Sequence, residues 1–454
     1  MQVIADLHIH GPKSGGSSKN MNFENLALNA ALKGVDIVTT SDFTHPEWTK
    51  EIKEKLEYSE NSGLFKLRDS YIADKDKPMT KRTRFILGTE VNCTFDSPIE
   101  GEKRKKQIHH VLLTRSLEIA NQLTEEFRRF GKLERLGRPT LHVSAAELVE
   151  IVKEIDQTNL IFAAHIWTPH FSLFGANSGF DNAKDCYENQ LDKLDALETG
   201  LSSDPLMNWR VSSLDKFVLV SNSDAHSPAP WRLGREANQF ELPRITYAEL
   251  VEAIHHPSNG KFKQTIEFPP PLGKYHWTGH RKCAVCLSPT EAMQLANHCP
   301  VCGKKLTIGV DQRVEELADR KNPIRPPDSP GFIFLVPLHN LLALALNITT
   351  LNSKKVNHVF AKLIERFGSE YAVTLKANYE DIQEVTNEQI AKAIYAMRFG
   401  KYQILPGSDN QYGKVELYLN TVTGMETEKE RELPTIGNGS RGKQGDLAKF
   451  LPIS

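Results

Sequence analysis

The chain has 454 residues, which is about three times a typical domain of roughly 150 residues, so we expect two or three domains and exclude a single small module. Hydrophobic residues make up 39% of the sequence, and no apolar run reaches the roughly 18 residues that a membrane-spanning helix needs. We therefore expect no membrane association, and the absence of an export signal favours the cytoplasm. Lysine and arginine (56) nearly balance aspartate and glutamate (57), so nucleic-acid binding would depend on local patches.

The first half of the chain alternates short, apolar, β-branched runs with longer amphipathic stretches, which is the pattern of repeated β-α units. The intervening stretches predict helices at 22–33, 117–131, 145–155 and 204–214. The seven apolar runs predict strands and read VIADL, VDIVTT, RFILGTEV, HHVLLT, LIFAAHI, LDALETG and FVLVSNS. Seven such units favour a closed barrel, whose chemistry lies at the carboxyl ends of the strands.

Two proline-rich segments divide the rest of the chain. The segment 268–271 separates the barrel, expected at 1–265, from a cysteine-containing module at 273–312. The segment 322–330 precedes a third domain at 330–454, in which 336–367 and 379–398 predict mainly helices. We therefore expect an α/β barrel, then a small cysteine module, then a mainly helical C-terminal domain.

Each predicted strand carries a metal-ligating residue type near its end. Residues two apart in a strand face the same way, so His8 and His10 project together, as do Asp224 and His226. Imidazole and carboxylate groups suit Zn²⁺, Mn²⁺ or Fe²⁺, and this many ligands exceed what one ion can use, which predicts a centre of two or three metals. The predicted ligands are His8, His10, Asp42, Glu90, His165, Glu198, Asp224 and His226, with one of the adjacent His109 and His110.

The sequence around these residues resembles the motifs of the PHP (polymerase and histidinol phosphatase) superfamily. The resemblance implies a distorted (β/α)7 barrel with a two- or three-metal phosphoesterase centre, and it selects His110 rather than His109 as the ligand. In two places the chain departs from the superfamily pattern: Gly16 stands where many members have a further metal-binding residue, and Phe43 replaces a common histidine. The matching motifs are Asp6-Leu7-His8-Ile9-His10, Thr40-Ser41-Asp42, Gly88-Thr89-Glu90-Val91, His110-Val111-Leu112-Leu113, Ala164-His165, Leu197-Glu198 and Ser223-Asp224-Ala225-His226.

Four cysteines form two C-x2-C pairs separated by twelve residues. Two such pairs match a tetrahedral zinc site of four thiolates, and a ribbon of this size would need the metal to fold. We therefore predict one structural zinc ion. Its ligands would be Cys283, Cys286, Cys299 and Cys302. The flanking His280 and His298 are interpreted as structural or exposed residues, and the basic and aromatic residues nearby suit either DNA contact or a solvated surface.

A PHP barrel followed by a four-cysteine module and a mostly helical domain is similar to the endonuclease Q family, over essentially the whole chain. The resemblance implies a DNA repair endonuclease that cuts on the 5′ side of deaminated bases (hypoxanthine, uracil or xanthine) or of abasic sites. It further implies catalysis by two or three Zn, Mg or Mn ions, with Asp224 and His226 in catalysis, Lys19 neutralising the phosphate and the damaged nucleotide flipped out of the duplex. The expected partner is damaged DNA, double- or single-stranded, a sliding clamp is a second candidate, and we expect a monomer.

Two segments at the predicted barrel mouth are candidates for DNA contact. The basic run 103–106 precedes the strand that carries His110, although such a run is usually just solvated. The loop after His165 combines rings, an amide and backbone donors that could hold a flipped base, and the alternative is a capped loop with packed aromatic residues. The candidate residues are Trp167, His170, Phe171, Phe174, Asn177, Ser178, Lys103, Arg104, Lys105 and Lys106.

Three other functions stay open on the sequence. A small-molecule phosphatase could use the same barrel but leaves the C-terminal part of the chain without a role. A 3′-5′ exonuclease would digest undamaged strands from their ends. A non-catalytic nucleic-acid-binding protein would lack some of the metal-ligating residues of the barrel, whereas this set is almost complete.

Overall fold

A computed structural model describes residues 1–99, 101–102, 104–427, 431 and 435–436. Its strands are β1 (Gln2–Asp6), β2 (Ile37–Thr39), β3 (Leu56–Ser59), β4 (Leu64–Leu67), β5 (Arg84–Asp96), β6 (Lys105–Thr114), β7 (Thr140–Leu141), β8 (Leu160–Ala163), β9 (Ala196–Glu198), β10 (Leu219–Val220), β11 (Ala237–Glu241), β12 (Phe262–Glu267), β13 (Thr278–His280), β14 (Val285–Leu287), β15 (Gly331–Phe334), β16 (Tyr402–Leu405), β17 (Lys414–Leu417) and β18 (Thr435–Ile436). Its helices are α1 (Phe23–Lys33), α2 (Pro46–Lys55), α3 (Lys77–Thr80), α4 (Leu117–Phe127), α5 (Ala145–Ile155), α6 (Ala183–Tyr187), α7 (Pro205–Asn208), α8 (Tyr247–His255), α9 (Pro289–Gln294), α10 (Val310–Leu317), α11 (Leu338–Ala345), α12 (Lys354–Phe367), α13 (Glu370–Leu375), α14 (Tyr379–Val385) and α15 (Glu388–Arg398). Among these described residues, no helix has the length and apolar character needed to cross a bilayer.

Seven strands curl into a barrel in the order β1, β2, β5, β6, β8, β9 and β10, which confirms the predicted α/β barrel. Backbone hydrogen bonds close it beyond the last strand. The amide of Asp224 donates to the carbonyl of His8, and the amide of His10 donates to the carbonyl of Ala225. These bonds hold the two predicted ligand pairs side by side at one end of the barrel.

One barrel strand runs against the others. Strand β6 is antiparallel to both β5 and β8, because a hairpin rather than a helical crossover joins β5 to β6. The remaining neighbours in the barrel are parallel, as repeated β-α units require. The register of β6 against β5 decides which histidine of the fourth motif faces the centre.

The barrel strands bury both faces, as strands covered by helices do. Val3 and Ala5 belong to one apolar cluster, which also includes Ile254 of α8. The intervening Ile4 belongs to a second cluster, which includes Phe23 of α1 and extends beneath α4 and α5. Alternation along β1 therefore fixes its register between two apolar layers.

The chain leaves the barrel sheet for the cysteine module and then returns to it. Strands β11 and β12 extend the sheet beyond β1, and β15, which follows the module, pairs in parallel with β12. The module itself contains the β13–β14 hairpin and α9, and α10 follows it.

Helices α11 to α15 make the C-terminal part mainly helical, as predicted. A buried ion pair fastens these helices to the barrel: the Lys33 ammonium in α1 lies 2.5 Å from Glu370 Oε1 in α13. The same ammonium donates to the carbonyl of Pro230, and the hydroxyl of Tyr371 donates to the carbonyl of Gly234. The segment that follows His226 is therefore held between the barrel and the C-terminal helices.

Candidate functional site

Four predicted ligands meet at the carboxyl ends of the barrel strands. His10 Nε2 lies 2.6 Å from Asp224 Oδ1 and 3.4 Å from Glu90 Oε2. His8 Nε2 lies 3.7 Å from Glu90 Oε1 and 3.8 Å from Asp224 Oδ1. The histidines and Glu90 are buried, and Asp224 is partly open to solvent. Imidazole nitrogens and carboxylate oxygens thus converge on a small volume at the mouth of the barrel.

Glu90 is shared between this group and a second one. Its Oε1 lies 2.8 Å from His109 Nδ1 and 3.1 Å from His165 Nε2. A third group joins His10, Asp224 and His226, and within each group the ligand atoms lie within 4.8 Å of one another. Because these three groups share members, they describe one centre with room for more than one cation.

An unpartnered atom in the centre fits the same interpretation. His8 Nε2 is buried and makes no hydrogen bond with the described part of the chain. A buried polar atom without a partner is costly, and a bound cation would satisfy this one. The donor set therefore fits divalent metal ions.

Three of the predicted ligands have an unusual backbone. Asp42, His165 and Asp224 have φ values of 45°, 34° and 47°, in the left-handed region that residues other than glycine rarely adopt. All three follow barrel strands at the point where the chain turns away from the sheet. Such strain is typical of functional sites, because it directs side chains that an extended strand would point elsewhere.

The charges in the centre hold its carboxylates ionised. Burial opposes ionisation of Glu90, but Arg138, His109 and His8 outweigh it and keep the pKa of Glu90 well below its ordinary value. Burial is likewise outweighed at Asp224, where His10 lowers the pKa. Asp42 differs, since burial raises its pKa to about 6 against the hydrogen bonds from Ser14. Two ionised carboxylates thus lie among the histidines.

The structure places His109, not His110, in the centre. In the antiparallel β5–β6 pair, His109 lies opposite Asn92 and His110 lies opposite Val91. Opposite residues share a face and Asn92 lies two residues from Glu90, so His109 faces the centre with Glu90. His110 points the other way, with its Nε2 2.8 Å from the Tyr187 hydroxyl. The superfamily resemblance had selected His110, which the structure places facing away from the centre.

Glu198 contacts a ligand rather than the open part of the centre. Both of its oxygens lie 3.0 Å from His8 Nδ1. It also accepts hydrogen bonds from the His165 amide and the Asn222 side chain, each at 2.8 Å. A carboxylate on the far nitrogen of a histidine fixes the ring and leaves Nε2 for a metal. This role differs from the ligand role predicted from the sequence.

The remaining predicted metal-ligating and catalytic residues lie at the edge of the centre. Asp42 accepts a hydrogen bond from the Ser14 hydroxyl, 2.8 Å from each oxygen. The His226 ring lies 4.1 Å from the His10 ring, and its Nδ1 donates to the carbonyl of Asp224. Lys19 is exposed, beside Ser18, whose amide donates to the carbonyl of His226. Lys19 therefore lies on the surface close to the centre.

Sequence reasoning missed Arg138, which reaches the centre from the loop between α4 and β7. Its Nε contacts Glu90 Oε2, and its Nη2 lies 3.2 Å from His10 Nε2. These are atoms that a metal would use. No local sequence pattern marks this arginine, because its partners lie far away in the chain.

The loop after His165 is largely structural. Trp167 and Phe174 are 1% and 2% exposed and pack on each other, and the Trp167 indole donates to Asn208, so neither ring can stack on a base as predicted. Phe171 is 40% exposed and stacks on His109. At the surface, Asn177 Nδ2 lies 3.1 Å from His170 Nε2, and Ser178 Oγ accepts from the amide of Phe171.

The basic run contributes less cationic surface than predicted. Lys106 is buried: its ammonium donates to Glu102 and to the carbonyl of Gly179 and lies 4.2 Å from the Phe180 ring centre. Arg104 donates to the carbonyl of Asn177, and Lys105 is exposed. Lys103 lies outside the described residues. The hairpin tip and the loop after His165 are thus fastened together.

A cavity of about 770 Å³ opens beside the centre. Asp224 and His165 reach its wall, and the C-terminal part of the chain supplies the opposite wall. Its other lining residues include Trp231, Arg232, Tyr275, Asn340 and Tyr412. Aromatic rings with a few polar groups are typical of a small-molecule pocket, and the volume exceeds what one nucleotide needs.

The cysteine module gathers a set of ligands slightly different from the predicted one. Cys283, Cys299, Cys302 and His280 lie within 4.8 Å of one another, and Cys286 Sγ instead lies 3.8 Å from the carbonyl oxygen of Pro406. In the β13–β14 hairpin Cys286 lies opposite Gly279, so it and His280 occupy opposite faces. Three thiolates and one imidazole also fit a tetrahedral zinc site.

One family model and two uncharacterized relatives match the sequence of the chain. A family model described as the MJ0043 C-terminal domain matches residues 337–401. The uncharacterized protein YqxK of Bacillus subtilis is 28% identical over 91% of this chain and 99% of its own length. The uncharacterized protein MJ0043 of Methanocaldococcus jannaschii is 34% identical over 55% of this chain, a match that spans only 31% of that longer protein.

Two solved structures resemble this one along nearly the whole chain. The lesion-specific endonuclease PfuEndoQ from Pyrococcus furiosus has a TM-score of 0.81 and 33% identity, covering 95% of this chain and 100% of that one. Endonuclease Q in complex with a 27-mer duplex that carries an abasic lesion at the active site has a TM-score of 0.78 and 33% identity, and the match covers 96% of this chain and 99% of that one. With this identity over the full length of a solved member, the chain belongs to the endonuclease Q family.

Proposed function

We propose that the chain is a metal-dependent DNA repair endonuclease that cuts the phosphodiester on the 5′ side of a deaminated base or an abasic site. The observation that carries this proposal is the opening of the His/carboxylate centre directly into the cavity, with Asp224 part of both. A phosphate at the centre and its nucleotide in the cavity would be neighbours. The structure of a family member with an abasic duplex at its active site supports damaged DNA as the substrate.

The residues of the chain prepare the centre for cations. Glu198 accepts from His8 Nδ1, so His8 keeps the lone pair of Nε2 for a metal. His226 donates its Nδ1 proton to a carbonyl and likewise leaves Nε2 free. Bound divalent ions would lower the pKa of a water and offset the charge of the scissile phosphate. The residues that would hold them are His8, His10, Glu90, His109, His165, Asp224 and His226.

We place lesion recognition in the cavity rather than in the loop after His165. Buried Trp167 and Phe174 cannot reach a base, whereas Trp231, Tyr275 and Tyr412 offer rings at the cavity wall. The Asn340 amide can both donate to and accept from the keto edge of a deaminated base. The undamaged parent bases adenine and cytosine present the opposite order of donors and acceptors, and each unpaired buried group costs about 1–3 kcal/mol.

A cleavage assay tests this function. End-labelled duplexes with one central hypoxanthine, uracil, abasic site or normal base are incubated with enzyme and Mg²⁺, Mn²⁺ or Zn²⁺. We expect one cut 5′ to each lesion and none in the normal duplex. Asn340→Ala should reduce cutting at deaminated bases more than at the abasic site, which has no base to contact. Digestion from undamaged ends would indicate an exonuclease instead, and hydrolysis of phosphate monoesters alone would indicate a small-molecule phosphatase.

A further inference from the structure

Helix α12 has an exposed cationic face opposite its buried one. Val356, Phe360, Leu363 and Ile364 pack inward. At 100° per residue, the basic positions fall on the other side of the helix within one third of a turn. They are Lys354, Lys355, His358, Lys362 and Arg366, and all five are exposed; Glu365, also exposed, is the one acidic residue of α12 and lies in the same sector.

These charges have few partners within the chain. Among the described residues, no carboxylate lies within ion-pair distance of Lys354, Lys355 or Lys362, and Arg366 reaches Asp381 only at 3.9 Å. The first turn of α12 contains no acidic residue, whereas helices of similar length such as α1, α4, α5 and α15 each begin with a glutamate there. Lysines at a helix N-terminus oppose the helix dipole and destabilise the helix. Ser353 caps the helix, since its side chain accepts from the amide of Val356, but it carries no charge to balance the two lysines.

The cationic face begins at the rim of the cavity. Thr349 and Leu351, which line the cavity, immediately precede the helix. The cavity residue Trp231 packs on His339, which in turn packs on Phe360 of α12. The rim also carries Lys274, Arg232 and Lys414, so positive charge continues from the cavity onto the helix.

We propose that this face of α12 binds the phosphate backbone of the DNA duplex to one side of the lesion. The inference rests on the proposed function and adds a contact surface outside the metal centre and the cavity. Fourteen residues extend about 21 Å, the axial length of roughly six base pairs at 3.4 Å each. A row of flexible cations matches the evenly spaced phosphates of one strand. The contact would position the duplex without reading its sequence.

The test compares two triple variants of the full-length protein. The first is Lys354→Gln/Lys355→Gln/Lys362→Gln. The control, Lys75→Gln/Lys81→Gln/Lys193→Gln, removes the same charge from exposed lysines near the amino ends of β5 and β9, away from the metal centre. KM, kcat and the binding constant are measured on an abasic duplex at several salt concentrations, and circular dichroism checks that both variants fold.

We expect the α12 variant to have a KM about tenfold higher, with kcat unchanged. The slope of the logarithm of the binding constant against the logarithm of the salt concentration should become shallower by about 2–3, since each lost phosphate contact reduces that slope by roughly 0.9. Trimming the duplex on one side of the lesion should weaken the wild type and the control but not the α12 variant. If the wild type cuts lesions while the α12 variant keeps the KM and salt slope of the control, the α12 proposal is wrong, and the face would serve another partner. If the wild type neither binds nor cuts lesion DNA, the proposed function itself fails.

Discussion

Arg138 and a divalent cation would compete for the same two side chains. The guanidinium contacts Glu90 and His10, and burial of Arg138 is outweighed by Glu90 and Asp224, which raise its pKa. We expect Arg138→Met to bind Mn²⁺ about tenfold more tightly in the absence of DNA, about 1.4 kcal/mol, because a buried like charge is removed. Calorimetric titration of the metal-free protein measures this, with the exposed Arg135→Met from the same loop as control. Equal or weaker binding by Arg138→Met would show that the arginine supports the ligands instead.

The two adjacent histidines of β6 give the most specific residue-level test. We expect His109→Ala to lose a barrel metal and more than about 100-fold in cleavage rate, because its ring faces Glu90. His110→Phe should keep its barrel metals and lose stability, because it removes the hydrogen bond to Tyr187 in a buried position. Elemental analysis and thermal melts separate the two effects. The reverse pattern would restore the choice made from the superfamily motif.

At the scale of elements, the sequence predicted the seven barrel strands well because each is a short apolar run buried on both faces. It could not reveal the direction of β6, since a hairpin and a crossover leave the same apolar run, nor its register against β5, on which the choice between His109 and His110 depended. The helix predicted at 204–214 is shorter: Asp204 caps α7, and a separate short turn follows at Ser212–Leu214.

Strand β12 ends in a carboxylate that should make stability depend on pH. Glu267 is fully buried, accepts hydrogen bonds from Thr199, Ser221 and Thr265, and burial raises its pKa to about 8. Its folded pKa exceeds the ordinary value of 4.5, so the native state binds more protons than the unfolded chain between about pH 4.5 and 8. The associated stability is present below this window and is lost as the pH rises through it.

We expect Glu267→Gln to remove that loss, about 3–4 kcal/mol between pH 5 and pH 8. Urea unfolding of both proteins across this range measures the contribution of Glu267 together with its effect on Glu236, whose pKa Glu267 raises. Parallel pH profiles for the two proteins would mean that the carboxyl group stays ionised in the fold.

At the scale of the molecule, the site depends on parts of the chain that sequence reasoning could not bring together. Arg138 comes from a loop without a motif, and the cavity requires Trp231, Tyr275 and Asn340 from three separate regions. The strand-end ligands were predictable because their spacing repeats with the barrel units. The cavity was not, since it forms only when β15 rejoins the sheet and Glu370 pairs with Lys33.

The most direct test of the account is single-turnover cleavage of a duplex with one central uracil by the wild type and by Asp224→Asn, each supplied with Mn²⁺. Asp224 belongs to both the centre and the cavity wall, so its loss should slow the chemical step without removing the DNA-binding surfaces. We predict one nick 5′ to the uracil with 3′-hydroxyl and 5′-phosphate ends, slowed by at least about 1,000-fold in Asp224→Asn, with the duplex still bound. The same nick at the wild-type rate in Asp224→Asn would contradict the account.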